Sequence, residues 1–96
     1  MPTNKETETR GPVYIENEDV YIGNWNIQLD TREGTGKIIF RDGSIFEGAF
    51  SNNTISGFGR YIRFDGEIYT GNWENDNING QGTLVNPNGY RYSGNW

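Results

Sequence analysis

The sequence predicts an all-β fold, an elongated single-layer antiparallel meander of stacked hairpins with no helix. Three observations carry this. A motif block recurs at a fixed short period, the segments between its glycines are short and rich in β-branched and aromatic residues, and every connection is too short for a parallel crossover.

The block is aromatic-x-Gly-x-aromatic, found as Tyr21/Gly23/Trp25, Phe46/Gly48/Phe50, Tyr69/Gly71/Trp73 and Tyr92/Gly94/Trp96. Gly-x-Gly follows as Gly34/Gly36, Gly57/Gly59 and Gly80/Gly82, then an acid- or amide-glycine pair as Asp42-Gly43, Asp65-Gly66 and Asn88-Gly89. The period is 23 residues, except between Tyr21 and Phe46, where it is 25. Of the 14 glycines, 13 fall on these registered positions, so the pattern is not an accident of composition. Projected backwards, Gly11 takes the second glycine of a Gly-x-Gly and Asn17-Glu18 takes the turn. The expected organisation is a polar tail over residues 1–10 and a repeat domain over 11–96. That domain divides into a half unit (11–19), units at 20–44, 45–67 and 68–91, and a partial unit (92–96).

Eight strands follow in order: Val13–Ile15, Val20–Trp25, Lys37–Phe40, Ile45–Phe50, Arg60–Phe64, Glu67–Trp73, Thr83–Val85 and Tyr90–Trp96. Each is bounded by Gly, Asn or Asp. The Asp-Gly and Asn-Gly pairs read as two-residue type I′ hairpins, in which both central residues need positive φ. The other connections, Asn26 to Glu33, Ser51 to Ser56 and Glu74 to Asn79, read as longer polar loops. Two-residue turns put Ile39 opposite Phe46, Ile62 opposite Tyr69 and Val85 opposite Tyr92, all on one face, and alternation adds Phe50, Trp73 and Trp96. Gly23, Gly48, Gly71 and Gly94 leave space beside the backbone for a ring from a neighbouring strand. Gly36, Gly59 and Gly82 serve turns and close packing. Since one layer cannot bury both faces, one face is expected to be a groove lined by Tyr21, Trp25, Phe46, Phe50, Tyr69, Trp73, Tyr92 and Trp96.

Composition narrows the function. Apolar residues make up only 32% of the chain, but aromatics reach 15%, which describes a folded, thin-cored domain. Net charge is −5 and no basic stripe builds up across the repeats, a poor match to nucleic acid or anionic membrane. With no cysteine and no histidine, disulfides, thiol catalysis and the commonest metal ligands and general bases are absent. No cofactor or metal is expected, and an enzyme is disfavoured. Asn75–Gly80 imitates the start of a calcium loop, but position twelve would be Asn86 in place of the bidentate Glu such a loop needs. Gly-x-Gly lacks the third glycine and following helix of a phosphate loop. Glu16, Glu18 and Asp19 read as a solvated turn. The absence of cysteine fits a cytoplasmic setting.

The unit Tyr-x-Gly-x-Trp, short loop, Gly-x-Gly, strand and Asp-Gly resembles the MORN (membrane occupation and recognition nexus) repeat. The resemblance covers residues 11–96, and Tyr69/Gly71/Trp73/Gly80/Gly82 matches best. Phe46 and Phe50 are conservative departures. The family usually places a basic residue or histidine just before Gly-x-Gly, where this chain has Ile55-Ser56 and Ile78-Asn79. The resemblance implies an elongated, curved sheet and a role as a scaffold in cilia or the cytoskeleton, as a dimerising module, or as a regulatory part of a larger protein. The leading expectation is a non-catalytic interaction module holding a protein partner in a multi-subunit assembly. The other class is a peripheral phospholipid-binding or membrane-tethering module. The sheet edge at the C-terminal end is open to a second copy, to a strand from a partner, or to further sequence of a longer protein.

Overall fold

Short β-prone segments joined by Gly, Asn and Asp can each reach only the segment beside them, and the chain zips up in sequence. A computed structural model describes residues 6–95, which form one eight-stranded antiparallel sheet in the order β1 to β8. The strands are β1 (Thr7–Tyr14), β2 (Val20–Asn26), β3 (Thr31–Ile39), β4 (Ile45–Ser51), β5 (Thr54–Ile62), β6 (Ile68–Glu74), β7 (Asn77–Val85) and β8 (Arg91–Asn95). The expected β-meander is confirmed. A single 3-10 turn, Glu16–Glu18, joins β1 to β2, with Asn17 at φ 63°.

Two expectations at the N-terminal end need correction. Thr7–Arg10, read as tail, is the first half of β1 and pairs with β2 from Asn26 back to Gly23. Polar side chains hid the strand because backbone pairing does not require apolar ones. Arg10, not Gly11, stands opposite Gly23, and a Cβ on Gly11 would touch nothing. Gly11 therefore does not take the place of a ladder glycine, although Val13 pairs with Tyr21 as Ile38 does with Phe46.

The turn types are exchanged relative to expectation. At the Asp-Gly sites Gly43 N–H donates to Phe40 O (2.9 Å) and Phe40 N–H to Ser44 O (2.8 Å), closing a three-residue loop. The same pairs of bonds join Arg63, Gly66 and Glu67, and Asn86, Gly89 and Tyr90. Only the glycines, at φ 96°, 97° and 91°, take the left-handed conformation, as in a type I turn closed by a G1 bulge. Asp42 and Asp65 use Oδ1 to accept from the N–H two residues on, Ser44 (2.8 Å) and Glu67 (3.1 Å), which stabilises the three-residue loop. The type I′ geometry occurs at the other end. Asn52-Asn53 (φ 51°, 73°) and Asn75-Asp76 (φ 51°, 70°) are two-residue loops between paired Ser51/Thr54 and Glu74/Asn77. Asn and Asp are the non-glycine residues that tolerate this region best. The first loop is the longer Ile27–Asp30, which absorbs the two extra residues of the 25-residue interval.

One added loop residue shifts the register by one and reverses which side chains share a face. Phe46 pairs with Ile38, Tyr69 with Tyr61 and Tyr92 with Leu84. Ile39, Ile62 and Val85 lie on the opposite face, in a ladder running Val20, Ile39, Ile45, Ile62, Ile68, Val85.

Glycines form a second ladder, Gly23, Gly36, Gly48, Gly59, Gly71, Gly82, Gly94, each paired with the next. This row is a trench in which the rings of Tyr21, Phe46 and Tyr69 lie, each against the glycine two residues on in its own strand as well as the one across. A Cβ on Gly36, Gly59 or Gly82 would overlap Tyr21, Phe46 or Tyr69 respectively. The first glycine of each Gly-x-Gly has a different task. Gly57, at φ 119°, sits where Ser56–Phe58 bulge opposite the single residue Ala49. Equivalent register shifts recur at Gly23/Trp25 and Gly71/Trp73, one per repeat, and such bulges bend and twist a sheet.

Side chains at the turns reach back one unit and stitch the repeats together. Asn53 N–H donates to Arg32 O (3.0 Å) while its Oδ1 accepts from Arg32 N–H (2.9 Å). Asp76 does the same with Ile55, at 3.0 and 2.7 Å. At the other end, Phe64 N–H donates to the Ser44 hydroxyl (3.0 Å), which is fully buried, and Arg41 N–H to Asp19 Oδ1 (2.9 Å).

Candidate functional site

The ring face carries the core. Tyr21, Trp25, Ile38, Phe46, Phe50 and Ile55 form one buried cluster, with Val13, Ile15, Phe40, Tyr61 and Trp73 packed against it. The rings meet edge to face along the array. Tyr21 touches Trp25 (5.7 Å) and Phe50 (5.2 Å), Phe46 touches Phe50 (5.5 Å) and Trp73 (5.3 Å), and Trp73 touches Tyr61 (6.0 Å) and Tyr69 (5.5 Å). Pairs of this geometry each add about 0.5–1.5 kcal/mol beyond area burial.

The eight ring positions expected to line a groove have different fates. Tyr21, Phe46, Phe50, Tyr69 and Trp25 are closed into the core. Tyr21 donates its hydroxyl to Asn24 O (2.6 Å), and Tyr69 to Asn72 O (3.3 Å), folding each ring along its own strand. Burial pushes the Tyr21 hydroxyl up to about 12, against a smaller opposing pull from Arg32, and raises Tyr69 for the same reason. Trp25 is capped from outside: Arg10 lies 4.6 Å over its ring, and its Nε1 donates to Asp30 Oδ1 (2.8 Å). Trp73 stays half-buried, Tyr92 is 52% exposed, and Trp96 lies outside the described residues.

The groove itself is a space of about 420 Å³ on this face. Of the eight expected residues it uses Phe50 and Trp73; its other apolar walls are Ile15, Ile38, Phe40, Ile55 and Tyr61. Tyr61 also lines a smaller hollow of about 230 Å³ with Tyr69, Ile78 and Leu84, so the groove extends towards β7. Ile38, Tyr61 and Leu84 were missed because the two-residue turn reading assigned their positions to the opposite face.

One polar constellation was also missed. Arg32, at the start of β3, is 7% exposed and lines the groove. Its two terminal nitrogens face the two oxygens of Glu16 (3.2 and 3.3 Å), and Nη2 also donates to Asn53 O (2.9 Å). This bidentate pair anchors the Ile15–Asp19 connection across the end of the ring face. The guanidinium holds the Glu16 carboxyl below its ordinary value, chiefly by hydrogen bonding. Arg32 Nε and Trp73 Nε1 are buried donors with no acceptor among the described residues. No spacing in the sequence signals the Arg32–Glu16 pair, because Glu16 lies before the first repeat. Among the described residues no helix is long and apolar enough to cross a membrane.

The fold and its ring-lined face define a β-hairpin repeat protein whose 23-residue units stack by a shared aromatic and glycine code. The profile of the MORN repeat matches three consecutive units, residues 21–45, 46–68 and 69–89. The chain belongs to the MORN repeat family. MORN repeats are generally protein- or lipid-binding modules. A comparison with curated protein sequences found no match.

Proposed function

We propose that this chain is a non-catalytic binding module that holds a segment of a partner protein in the groove of its ring face. It would act within a larger cytoplasmic assembly, with cilium and cytoskeleton as the settings that the family resemblance suggests. The observation that carries this reading is an apolar groove of about 420 Å³ left open beside a core already filled by its own rings. Half-buried aromatics in such places are favoured interface anchors, and of the two ladder rings that reach the groove, Phe50 is buried in the core while Trp73 is only half-buried. Charge is consistent with a protein partner over an anionic membrane, since Lys37 and Arg63 are matched by Glu47 (3.9 Å) and by Asp65 (3.5 Å) and Glu67 (3.8 Å). Among the described residues no strand pairs with the outer edge of β8, whose backbone groups would suit a strand from a partner, from a second copy or from further sequence of a longer protein.

The test is Trp73→Ala, checked for folding by circular dichroism and then used in pull-downs beside the wild type. The variant should lose the captured partner, whereas Phe58→Ala, which truncates an exposed ring on the opposite face, should retain it. A folded Trp73→Ala protein that captures the partner normally refutes the groove assignment.

A further inference from the structure

Building on the groove reading, we propose that the segment it accepts is basic and amphipathic: apolar side chains on the ring floor, Lys or Arg side chains on the carboxylates of Asp19 and Asp76. Three observations converge. The groove is lined by Glu16, Asp19, Asp76 and a single base, Arg32. Arg32 is buried and its terminal nitrogens are taken by Glu16 and Asn53, so the charge presented outward is negative. Both aspartates are pre-positioned. Asp19 Oδ1 accepts from Arg41 N–H and Asp76 Oδ1 from Ile55 N–H, which leaves the second oxygen of each without a partner among the described residues.

The buried donors narrow the ligand further. Arg32 Nε and Trp73 Nε1 belong to groove-lining side chains and lack acceptors among the described residues. A buried N–H left unmade is costly, and because both nitrogens are closed to solvent as the side chains stand, a ligand carbonyl oxygen meets them when Arg32 and Trp73 shift to seat the segment. Cationic side chains supply no acceptor, but the main chain that carries them does. A polypeptide with basic side chains answers both the acidic rim and the unpaired donors. An acidic peptide answers only the donors, and an anionic lipid surface meets the wrong charge.

The probe is a random twelve-residue peptide library displayed on phage, selected on the immobilised chain. Selected peptides should be enriched in Lys and Arg beside aliphatic or aromatic residues, and their binding should weaken as salt rises. Affinity of the best peptide should fall about fivefold in Asp19→Asn/Asp76→Asn, from the two pairs together. Asparagine keeps the oxygen that accepts the backbone bond, so this variant stays folded. Trp73→Phe, which keeps a ring and removes the N–H, should weaken binding severalfold. If selected peptides lose binding in Trp73→Ala but are neutral or acidic and indifferent to the double variant, the charge assignment is overturned and the groove stands. If no selected peptide responds to Trp73→Ala, both fall.

Discussion

Replacing Gly59 with alanine tests the ring-in-trench packing most directly. Gly59 needs no left-handed backbone, so strain is not the reason for glycine there. The reason is space: a Cβ would overlap the Phe46 ring, which is fully buried and wedged edge-on between Phe50 (5.5 Å) and Trp73 (5.3 Å). The ring cannot withdraw without displacing both neighbours. Overpacking of this kind costs about 1–3 kcal/mol, and a ring closed on both sides argues for the upper half of that range. With a urea slope of about 1.5 kcal/mol/M, the unfolding midpoint should fall by roughly 1–2 M. Gly11→Ala is the control, since its Cβ meets nothing, and should lie within about 0.5 kcal/mol of wild type. Phe46→Leu is itself destabilising, but combined with Gly59→Ala it should lose less than the sum of the two by about 1 kcal/mol. A Gly59→Ala midpoint equal to wild type, or strict additivity in the double variant, would refute the packing account.

Ser44→Ala removes the acceptor of Phe64 N–H and should destabilise by about 1–2 kcal/mol, with faster amide exchange at Phe64; unchanged exchange would count against that bond. In an alkaline absorbance titration Tyr21 should ionise near 12, and Tyr21→Phe should remove that late step. Because its folded value is raised above the ordinary 10.0, the stability it contributes is complete below pH 10 and is lost as pH rises towards 12. Glu16 behaves oppositely. Its folded value is depressed below 4.5, so the Arg32 pair contributes fully above that pH and fades on acidification. Glu16 is 64% exposed, so the effect is a few tenths of a kcal/mol, seen as a flatter acid limb in Glu16→Gln urea midpoints.

Periodicity made the strand order legible before any coordinates, because a 23-residue unit with two turns has no choice but to pair with its neighbour. Register was not legible. An Asp-Gly pair supports either a two-residue loop with both residues at positive φ or a type I turn closed by glycine alone, and Asp42 bonding to Ser44 N–H selects the second. That single residue moved Ile38 and Tyr61 onto the ring face and Ile39 and Ile62 off it. Gly23, Gly48 and Gly71 face the ring of their own strand, and the ring from the neighbouring strand lies on Gly36, Gly59 and Gly82, while the trench made by consecutive glycines buries Tyr21 and Phe46 too deeply to line a groove. Arg10 over Trp25 and Arg32 on Glu16 lay beyond a repeat-based reading, since each joins a repeat residue to the non-repeating N-terminal segment.

The backward-reaching turns make the protein a ruler as well as a sheet. Asn53 clasps Arg32, and Asp76 clasps Ile55, each across an interval of 21 residues. A splice that removes residues 46–68 whole leaves Asp76 facing Arg32 across that same interval, and the clasp can close again. A cut of any other length leaves the clasp without its mate. Change in length is therefore tolerated in whole modules, so the number of units can vary far more freely than the spacing within one.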